Sequence, residues 1–217
     1  MKHPTLKLQR EILSQEQLQL LNILENHFKE FVLGGGTALA MQIEHRKSFD
    51  FDFFSQKEIS RNLLLKIKEI IPVDRMARDT GDELTIYSDN IKITILYYPF
   101  AEVFKNTVID KDLRYFPLAT IAAQKAYAIG RRGAYRDYYD LYTILDQKYL
   151  TLEEIIKNSE DIFASVFNSK IFLQQLVFFD DLTDLEILPI DETQKIPNQD
   201  TVKKFLESIV SKYVDKI

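Results

Sequence analysis

The amino-acid sequence predicts an α/β half followed by an all-helical half, and two observations support this prediction. Before residue 100, short apolar runs separated by turn residues are typical of β-strands, whereas five segments after residue 112 repeat apolar residues at helical spacing. We therefore predict an α/β domain at residues 1–112 and a helical domain at residues 113–217. With 217 residues, of which 46% are hydrophobic and 28% charged, the chain can bury a core, which excludes a disordered protein.

The α/β half is predicted to begin with a helix and to continue as strands joined by turns. Residues 14–17 (SQEQ) fit a capping box, in which the first and last side chains satisfy backbone N–H groups at the start of a helix. Further helices are predicted at residues 37–44 and 62–71, and strands at residues 31–33, 49–54, 83–87 and 91–98.

In the second half every predicted element is a helix. A second capping box is present at residues 151–154 (TLEE). Apolar residues recur at helical spacing over residues 117–129, 135–145, 151–164, 171–179 and 201–214.

Composition excludes several kinds of site. The chain has no cysteine, which excludes disulfide bonds, thiolate zinc sites and cysteine nucleophiles and favours an intracellular setting. The first ten residues contain no apolar signal-peptide core, and no later stretch holds 18 uncharged apolar residues, so we expect a soluble, cytoplasmic protein with no membrane segment. Because the net charge is −5, binding of nucleic acid would depend on a local basic region.

Glycine is scarce in this chain and is clustered. Only six glycines are present, where average usage would give roughly 15, and three of them are consecutive: Gly34, Gly35 and Gly36. They lie between a predicted strand and a predicted helix, where backbone N–H groups can bind phosphate. An ordinary glycine-rich turn is the alternative, since the run is neither a Walker loop nor a dinucleotide-binding fingerprint.

Two aspartates alternate with phenylalanines in residues 48–54 (SFDFDFF). In a strand this alternation places Asp50 and Asp52 on one face, about 7 Å apart, and the alternate phenylalanines on the other face. Two such carboxylates can bind Mg²⁺ together with phosphate oxygens of a substrate. The alternative is the acidic outer face of an edge strand. The glycine turn upstream favours a triphosphate site, in which amides hold the phosphates and the aspartates hold the metal.

Charged residues interrupt apolar helix faces in the helical half. Lys125 lies on an apolar stripe, so its ammonium group must extend to solvent, pair with a carboxylate or bind a ligand. Asp137 and Asp140 are i, i+3 neighbours on a predicted helix, where they can form salt bridges with Lys125 or Arg136.

A local basic region lies between two predicted helices. Gly130 and Gly133 predict a break in helical structure, and residues 131, 132 and 136 around it are arginines. The planar guanidinium group of an arginine beside a turn suits recognition of phosphate oxygens.

Together these motifs resemble those of one enzyme family. The glycine run and the paired aspartates look like the first motif of the AbiEii/AbiGii toxin family of nucleotidyltransferases, within the DNA polymerase β-like superfamily. The segments around Lys125 and Asp137 resemble that family's lysine and DxxD motifs. The matching segments are residues 33–42 (LGGGTALAMQ), 45–48 (HRKS), 50–54 (DFDFF), 121–125 (IAAQK), 136–141 (RDYYDL) and 176–181 (LVFFDD).

The resemblance implies both a fold and an activity. The fold would be α+β, with a nucleotidyltransferase-like mixed β-sheet and flanking helices followed by a C-terminal helical bundle. The activity would be Mg²⁺-dependent transfer of a nucleoside monophosphate from a nucleoside triphosphate to an acceptor such as RNA, transfer RNA or a protein. Toxins of this kind have a cognate antitoxin protein as partner.

The resemblance also implies roles for individual residues. Asp50 and Asp52 would bind the metal ions. Lys125 would contact phosphate, while Asp137 and Asp140 would position the lysine or the substrate. The residues expected to bind the nucleotide are Gly35, Gly36, Thr37, Arg46, Ser48, Arg132 and Arg136.

One position departs from the superfamily pattern. A third carboxylate commonly stands on a later strand, where it binds metal and activates the acceptor hydroxyl, but residues 91–96 (IKITIL) offer Thr94 there. A threonine is a poor base and a poor metal ligand at neutral pH.

The missing carboxylate leaves several functions open. Either another acid, such as Asp137 or Asp140, completes the site, or activity is weak, unusual or absent. One alternative function is therefore a catalytically impaired nucleotide-binding or interaction module. Another is a metal-dependent phosphohydrolase or nuclease, but that function would leave the motifs other than the paired aspartates unexplained.

Overall fold

A seven-stranded mixed β-sheet forms the centre of the first half of the chain. The computed structural model describes residues 6–183 and 185–216. The strands are β1 (Val32–Gly34), β2 (Phe51–Ser55), β3 (Arg75–Asp79), β4 (Glu83–Ser88), β5 (Ile91–Tyr97), β6 (Val108–Asp110) and β7 (Leu113–Tyr115). Their order across the sheet is β3-β4-β5-β2-β1-β7-β6. Asp52 therefore belongs to the middle strand, β2, and Asp50 immediately precedes that strand, so the pair does not lie on an edge strand.

The pairing of β2 with its two neighbours fixes the surroundings of the aspartates. β2 runs antiparallel to β1, with Asp52 opposite Gly34, and parallel to β5, with Asp52 beside Thr94. β1 is also parallel to β7. A strand flanked on both sides is held in one register by two ladders of hydrogen bonds.

Among the described residues, three α-helices accompany the sheet: α1 (Gln15–His27), α2 (Gly35–Ile43) and α3 (Leu63–Lys68). Both bonds of the predicted capping box at Ser14 are present at the start of α1. α2 follows β1 directly and packs on β1 and β2. The helix predicted at residues 62–71 is shorter than expected, because only Leu63–Lys68 is helical.

Three strands were not predicted from the sequence. Every residue of β3 is exposed, so the strand has no apolar alternation to reveal it. β6 and β7 have three residues each, which is too short for a periodic pattern. Because β7 joins the sheet, the first compact unit ends at Leu118, after the boundary predicted at residues 112 and 113.

The second compact unit, Ala119–Ile217, is built from helices. In the described part of this half, five α-helices lie close to the predicted bounds, and the first of them begins at the last residue of the first unit. They are α4 (Leu118–Ala128), α5 (Tyr135–Asp146), α6 (Leu152–Phe163), α7 (Ser169–Leu176) and α8 (Gln199–Val214). The predicted capping box at Thr151 begins α6. Across the described part of the chain, no helix is long and apolar enough to cross a membrane. Residues 1–5, which belong to the segment predicted to lack an export signal, lie outside the described residues.

Phenylalanines of β2 form the core beside the aspartates. Phe51 and Phe53 have no exposed surface, and the ring of Phe53 lies 5.1 Å from that of Phe28 in an edge-to-face contact. Phe49 was expected to share the face of Phe51 and Phe53, but it precedes the strand and is 50% exposed. The core on this side therefore begins at Phe51.

This difference between neighbouring phenylalanines is directly testable. We expect Phe51→Ala to lower the free energy of unfolding by about 3–5 kcal/mol, because it removes a fully buried ring and leaves a cavity. Phe49→Ala, the matched control, should change it by less than about 1 kcal/mol. Urea denaturation followed by circular dichroism measures both values. Equal losses in the two variants would contradict this assignment of the core.

Candidate functional site

The glycine turn lies against the carboxylate of Asp52. Gly35, the first residue of α2, has a φ of +66°, and a Cβ on it would collide with Asp52 Oδ2. A larger residue would therefore be strained and would also displace the carboxylate. This close approach brings a strand end, a helix start and one carboxylate into one place.

The second glycine of the turn lies beside a buried arginine. A Cβ on Gly36 would stand 2.7 Å from Arg46 Nη2 and 3.1 Å from Ser48 Oγ. Arg46 is 4% exposed, and its Nη1 donates to the Lys47 carbonyl at 2.9 Å. Two residues predicted to bind nucleotide, Arg46 and Ser48, are thus adjacent to the first turn of α2.

Thr37 holds the backbone that precedes β2. Its hydroxyl donates to the Asp50 carbonyl and is hydrogen-bonded to Ser48 at 2.9 Å, and the residue is 1% exposed. The side chain of Thr37 therefore positions Asp50 and Ser48. Contact of Thr37 with a phosphate would involve its backbone N–H.

Gln17 is a positioning residue that the sequence did not reveal. Its Oε1 accepts from Ser14 N at 3.1 Å, which completes the capping box of α1. Its Nε2 donates to the backbone carbonyls of Ser48 at 2.9 Å and Phe49 at 3.1 Å. The capping box was predictable, but the two bonds that fix the segment before Asp50 depend on the tertiary fold.

Lys92 forms an ion pair with the first aspartate, which the sequence analysis also missed. Lys92 Nζ lies 2.7 Å from Asp50 Oδ2, and both side chains are about one third exposed. Burial opposes the charge of the lysine, but the hydrogen bond and charge of Asp50, together with the charge of Asp52, raise the pKa of Lys92 above its ordinary value. A signal was present in the sequence, because Lys92 and Thr94 alternate in one strand and so share a face.

Thr94 lies at the position where a third carboxylate was sought. It pairs with Asp52 of β2 on one side and with Thr85 of β4 on the other, and it is 7% exposed. Within residues 6–183 and 185–216, no group of three or more histidine, cysteine, aspartate or glutamate residues could hold a metal ion. Two carboxylates are nevertheless a suitable donor set for a Mg²⁺ ion that arrives with phosphate ligands.

The helical unit contains a second, buried charge cluster. Lys125 Nζ lies 3.0 Å from Asp137 Oδ1 and 2.5 Å from Asp140 Oδ2, and all three residues are at most 5% exposed. Of the alternatives that the sequence left open for Lys125, pairing with carboxylates is the one observed. Its ammonium group has three donors, and two of them face the aspartates.

An exposed arginine completes this cluster. Arg132 binds Asp137 through two bonds, Nε to Oδ2 at 2.8 Å and Nη2 to Oδ1 at 3.0 Å, while its side chain is 64% exposed. Burial disfavours a charged Asp137, but Lys125 and Arg132 together hold the pKa of this carboxyl below its ordinary value. Arg136 is exposed on α5. The predicted basic turn thus presents Arg132 and Arg136 at the surface of the helical unit.

The turn that carries Arg132 is held by a later segment. Thr183 N donates to the Gly133 carbonyl at 2.8 Å, and Ala134 and Thr183 form a parallel bridge. A Cβ on Gly133 would stand 2.7 Å from the backbone oxygen of Asp181. Glycine is required here by close packing of two backbone segments.

Comparisons with known proteins agree with this architecture. Residues 19–215 match the model of the family described as nucleotidyl transferase AbiEii toxin, type IV toxin–antitoxin system. An uncharacterized protein of Aquifex aeolicus is 29% identical over 190 residues, which cover 86% of this chain and 89% of the relative. The α+β fold and the family resemblance predicted from the sequence are confirmed.

Two solved structures from Helicobacter pylori share the fold. JHP933 is 20% identical with a TM-score of 0.55, and the alignment covers 94% of this chain and 96% of that one. A protein described as a candidate nucleotidyltransferase is 18% identical with a TM-score of 0.55, covering 94% and 99% of the two chains.

Removal of the buried lysine should destabilise the helical unit in a pH-dependent way. Lys125→Met removes the cation that two buried carboxylates, Asp137 and Asp140, share, so we expect a loss of about 3–5 kcal/mol at pH 7. In the wild-type protein the lowered pKa of Asp137 contributes stability above about pH 4, and this contribution is lost as the pH falls through the folded-state pKa. In the variant, acid should instead relieve the excess negative charge of the two buried carboxylates, so the deficit should shrink towards pH 4.

Urea denaturation from pH 4 to pH 8 measures this difference. Lys157→Met is the matched control, because Lys157 is exposed and pairs with Asp161 at 2.9 Å on the surface of the same unit. It should leave stability almost unchanged. A deficit of Lys125→Met that stays constant with pH would contradict the buried-charge explanation.

Gln17→Glu should separate the two functions of that side chain. Glutamate can still accept from Ser14 N and cap α1, but it cannot donate to the carbonyls of Ser48 and Phe49. We expect a loss of about 1–3 kcal/mol, because two carbonyls lose their donor and face a carboxylate. Hydrogen exchange should show faster exchange of amides around residues 48–50 and normal protection within α1. Equal loss of protection in both places would contradict this separation.

Proposed function

The chain belongs to the AbiEii nucleotidyl transferase toxin family, and on that premise we propose that it is a Mg²⁺-dependent enzyme that transfers a nucleoside monophosphate from a nucleoside triphosphate to an acceptor. The observation that carries this proposal is the contact of the Gly35 backbone with Asp52, next to Asp50 and the start of α2. A triphosphate-binding turn and a metal-binding pair of carboxylates are the two components that such a reaction requires.

The start of α2 supports phosphate binding in this proposal. Its first N–H groups have no partner within the helix, and the helix dipole favours an anion there. Gly35 and Gly36 carry no side chain that would block the approach of a phosphate. Arg46 and Ser48, beside Gly36, add a positive charge and a hydroxyl donor at the same place.

Asp50 and Asp52 would hold the metal ion together with phosphate oxygens of the substrate. The bound ion would neutralise charge that develops on the phosphates during transfer. The acceptor hydroxyl would attack the α-phosphorus, the bond to pyrophosphate would break, and the hydroxyl proton would pass to solvent. Because transfer at phosphorus depends mainly on positioning and charge, the reaction can proceed without the third carboxylate that Thr94 replaces.

The helical unit would serve substrate positioning. Asp137 and Asp140 hold two donors of the Lys125 ammonium group, and its third donor would contact a phosphate of the substrate. Arg132 and Arg136 would bind the nucleotide or an anionic acceptor. An RNA acceptor, transfer RNA included, suits these exposed arginines, since the net charge of −5 gives no general attraction to nucleic acid.

The proposed function also implies a protein partner and a location in the cell. As a member of a toxin family, the chain would be controlled by a cognate antitoxin protein. The cytoplasm supplies the nucleoside triphosphates on which the reaction depends.

A nucleotide-binding module without catalysis is the second candidate. The specific observation in its favour is Thr94, which stands in register with Asp52 where a carboxylate would activate the acceptor. This module would bind a triphosphate with Mg²⁺ and would release it unchanged. Calorimetric titration combined with product analysis distinguishes the two candidates.

The test of transfer uses four labelled nucleoside triphosphates, Mg²⁺ and total RNA or a cell extract as acceptor. The wild-type protein should label an acceptor, and the double variant Asp50→Asn, Asp52→Asn should lose at least about 100-fold in rate, because the metal ion loses both carboxylates. Asp112→Asn is the matched control, since that carboxylate is about half exposed and pairs with the surface residue Lys29 at 3.2 Å. Binding without labelling in the wild type would favour the module, and an unaffected double variant would contradict the assigned site.

A further inference from the structure

A lysine, and not a third acid, adjoins the two aspartates. Lys92 precedes Ile93 in β5, and Ile93 pairs in parallel with Phe51 of β2, so Lys92 lies alongside Asp50. The distance from Lys92 Nζ to Asp50 Oδ2 is 2.7 Å. The sheet register therefore places an ammonium group where a cation would contact Asp50.

The charges around this position suit one divalent ion better than two. Asp50 and Asp52 are both carboxylates, and Lys92 already neutralises the charge of Asp50. In the described ranges no cluster of three metal-binding side chains exists, and Thr94 stands beside Asp52 in place of an acid. A second divalent ion would lack a third carboxylate and would be repelled by the ammonium group.

The accessibility of the pair allows it to exchange partners. The side chains of Lys92 and Asp50 are 34% and 35% exposed, unlike the buried pairs of Lys125. A lysine has a flexible stem and three donors, so its ammonium group can turn from a carboxylate to a nearby phosphate. Such an exchange conserves the number of ion pairs in the site.

We propose that Lys92 is the second cation of a one-metal site, a role that rests on the proposed nucleotidyl transfer. Without substrate, Lys92 neutralises Asp50. When a metal–triphosphate complex binds, Asp50 becomes a ligand of the single ion and Lys92 binds phosphate oxygens. Lys92 then supplies the charge that a second metal ion supplies in two-metal enzymes.

The number of bound ions tests this inference without any variant. Mn²⁺ is titrated into the wild-type protein with a triphosphate analogue whose α–β bridge resists cleavage, and bound Mn²⁺ is counted by electron paramagnetic resonance. We expect one Mn²⁺ per chain in the ternary complex. Two Mn²⁺ ions per chain would overturn the inference.

Replacement of Lys92 gives a second test in which two affinities move in opposite directions. Lys92→Met should bind Mn²⁺ alone about tenfold more tightly, because Asp50 loses its competing cation. The same variant should bind the metal–analogue complex about tenfold more weakly, because a charged donor to the phosphates is lost. A purely structural role would weaken both affinities together.

Two further variants make the comparison specific. Lys92→Arg keeps the charge and should retain both wild-type affinities within a few-fold. Lys29→Met removes an exposed lysine whose ammonium group pairs with Asp112. This control variant should change neither affinity.

The outcomes separate this inference from the proposed function. A wild-type protein that binds neither Mn²⁺ nor the analogue overturns the proposed function, and the role of Lys92 with it. A wild-type protein that binds both, while Lys92→Met leaves the two affinities unchanged or weakens both, overturns the role of Lys92 alone.

Discussion

The contact between the Gly35 backbone and the Asp52 carboxylate is the constraint on which the candidate site depends. It requires a left-handed backbone conformation, the absence of a Cβ and the antiparallel pairing that sets Gly34 opposite Asp52. Once these three conditions are met, the start of α2 and the end of the glycine turn lie beside the carboxylates. The chain is otherwise sparing with glycine, so this cluster reflects a local requirement of the backbone.

The Lys125 cluster and the Lys92–Asp50 pair differ in burial, and burial gives them different capacities. Lys125, Asp137 and Asp140 are almost inaccessible, so their pairing is expensive to break and keeps one geometry. Lys92 and Asp50 are open to solvent, where an ion pair contributes little and is easily exchanged. The first cluster is therefore suited to hold a position, and the second to respond to a charged ligand.

Features that depend on local sequence were predictable here, and features that depend on register were not. The glycine turn, the capping boxes at Ser14 and Thr151 and the helices of the second unit follow from short patterns. Gln17 and Lys92 were missed, because their contacts join residues more than 30 positions apart through the pairing of strands and the docking of a helix. The sequence left several interpretations open for Lys125, and pairing with carboxylates was one of them. Burial of the ammonium group, which the sequence does not show, distinguishes that pairing from extension into solvent.

The place of β1 in the sheet also determines when the site can form. β1 pairs with β2 on one side and with β7 on the other, where Leu33 lies beside Tyr115. During synthesis from the N-terminus, one edge of β1 therefore stays open until residue 115 has been made, long after the glycine turn itself. Pairings of such long sequence separation form slowly, and an open strand edge can bind another chain. A partly synthesised chain thus carries the motifs of the candidate site without its complete sheet, and the site takes shape only when nearly the whole first unit has been made.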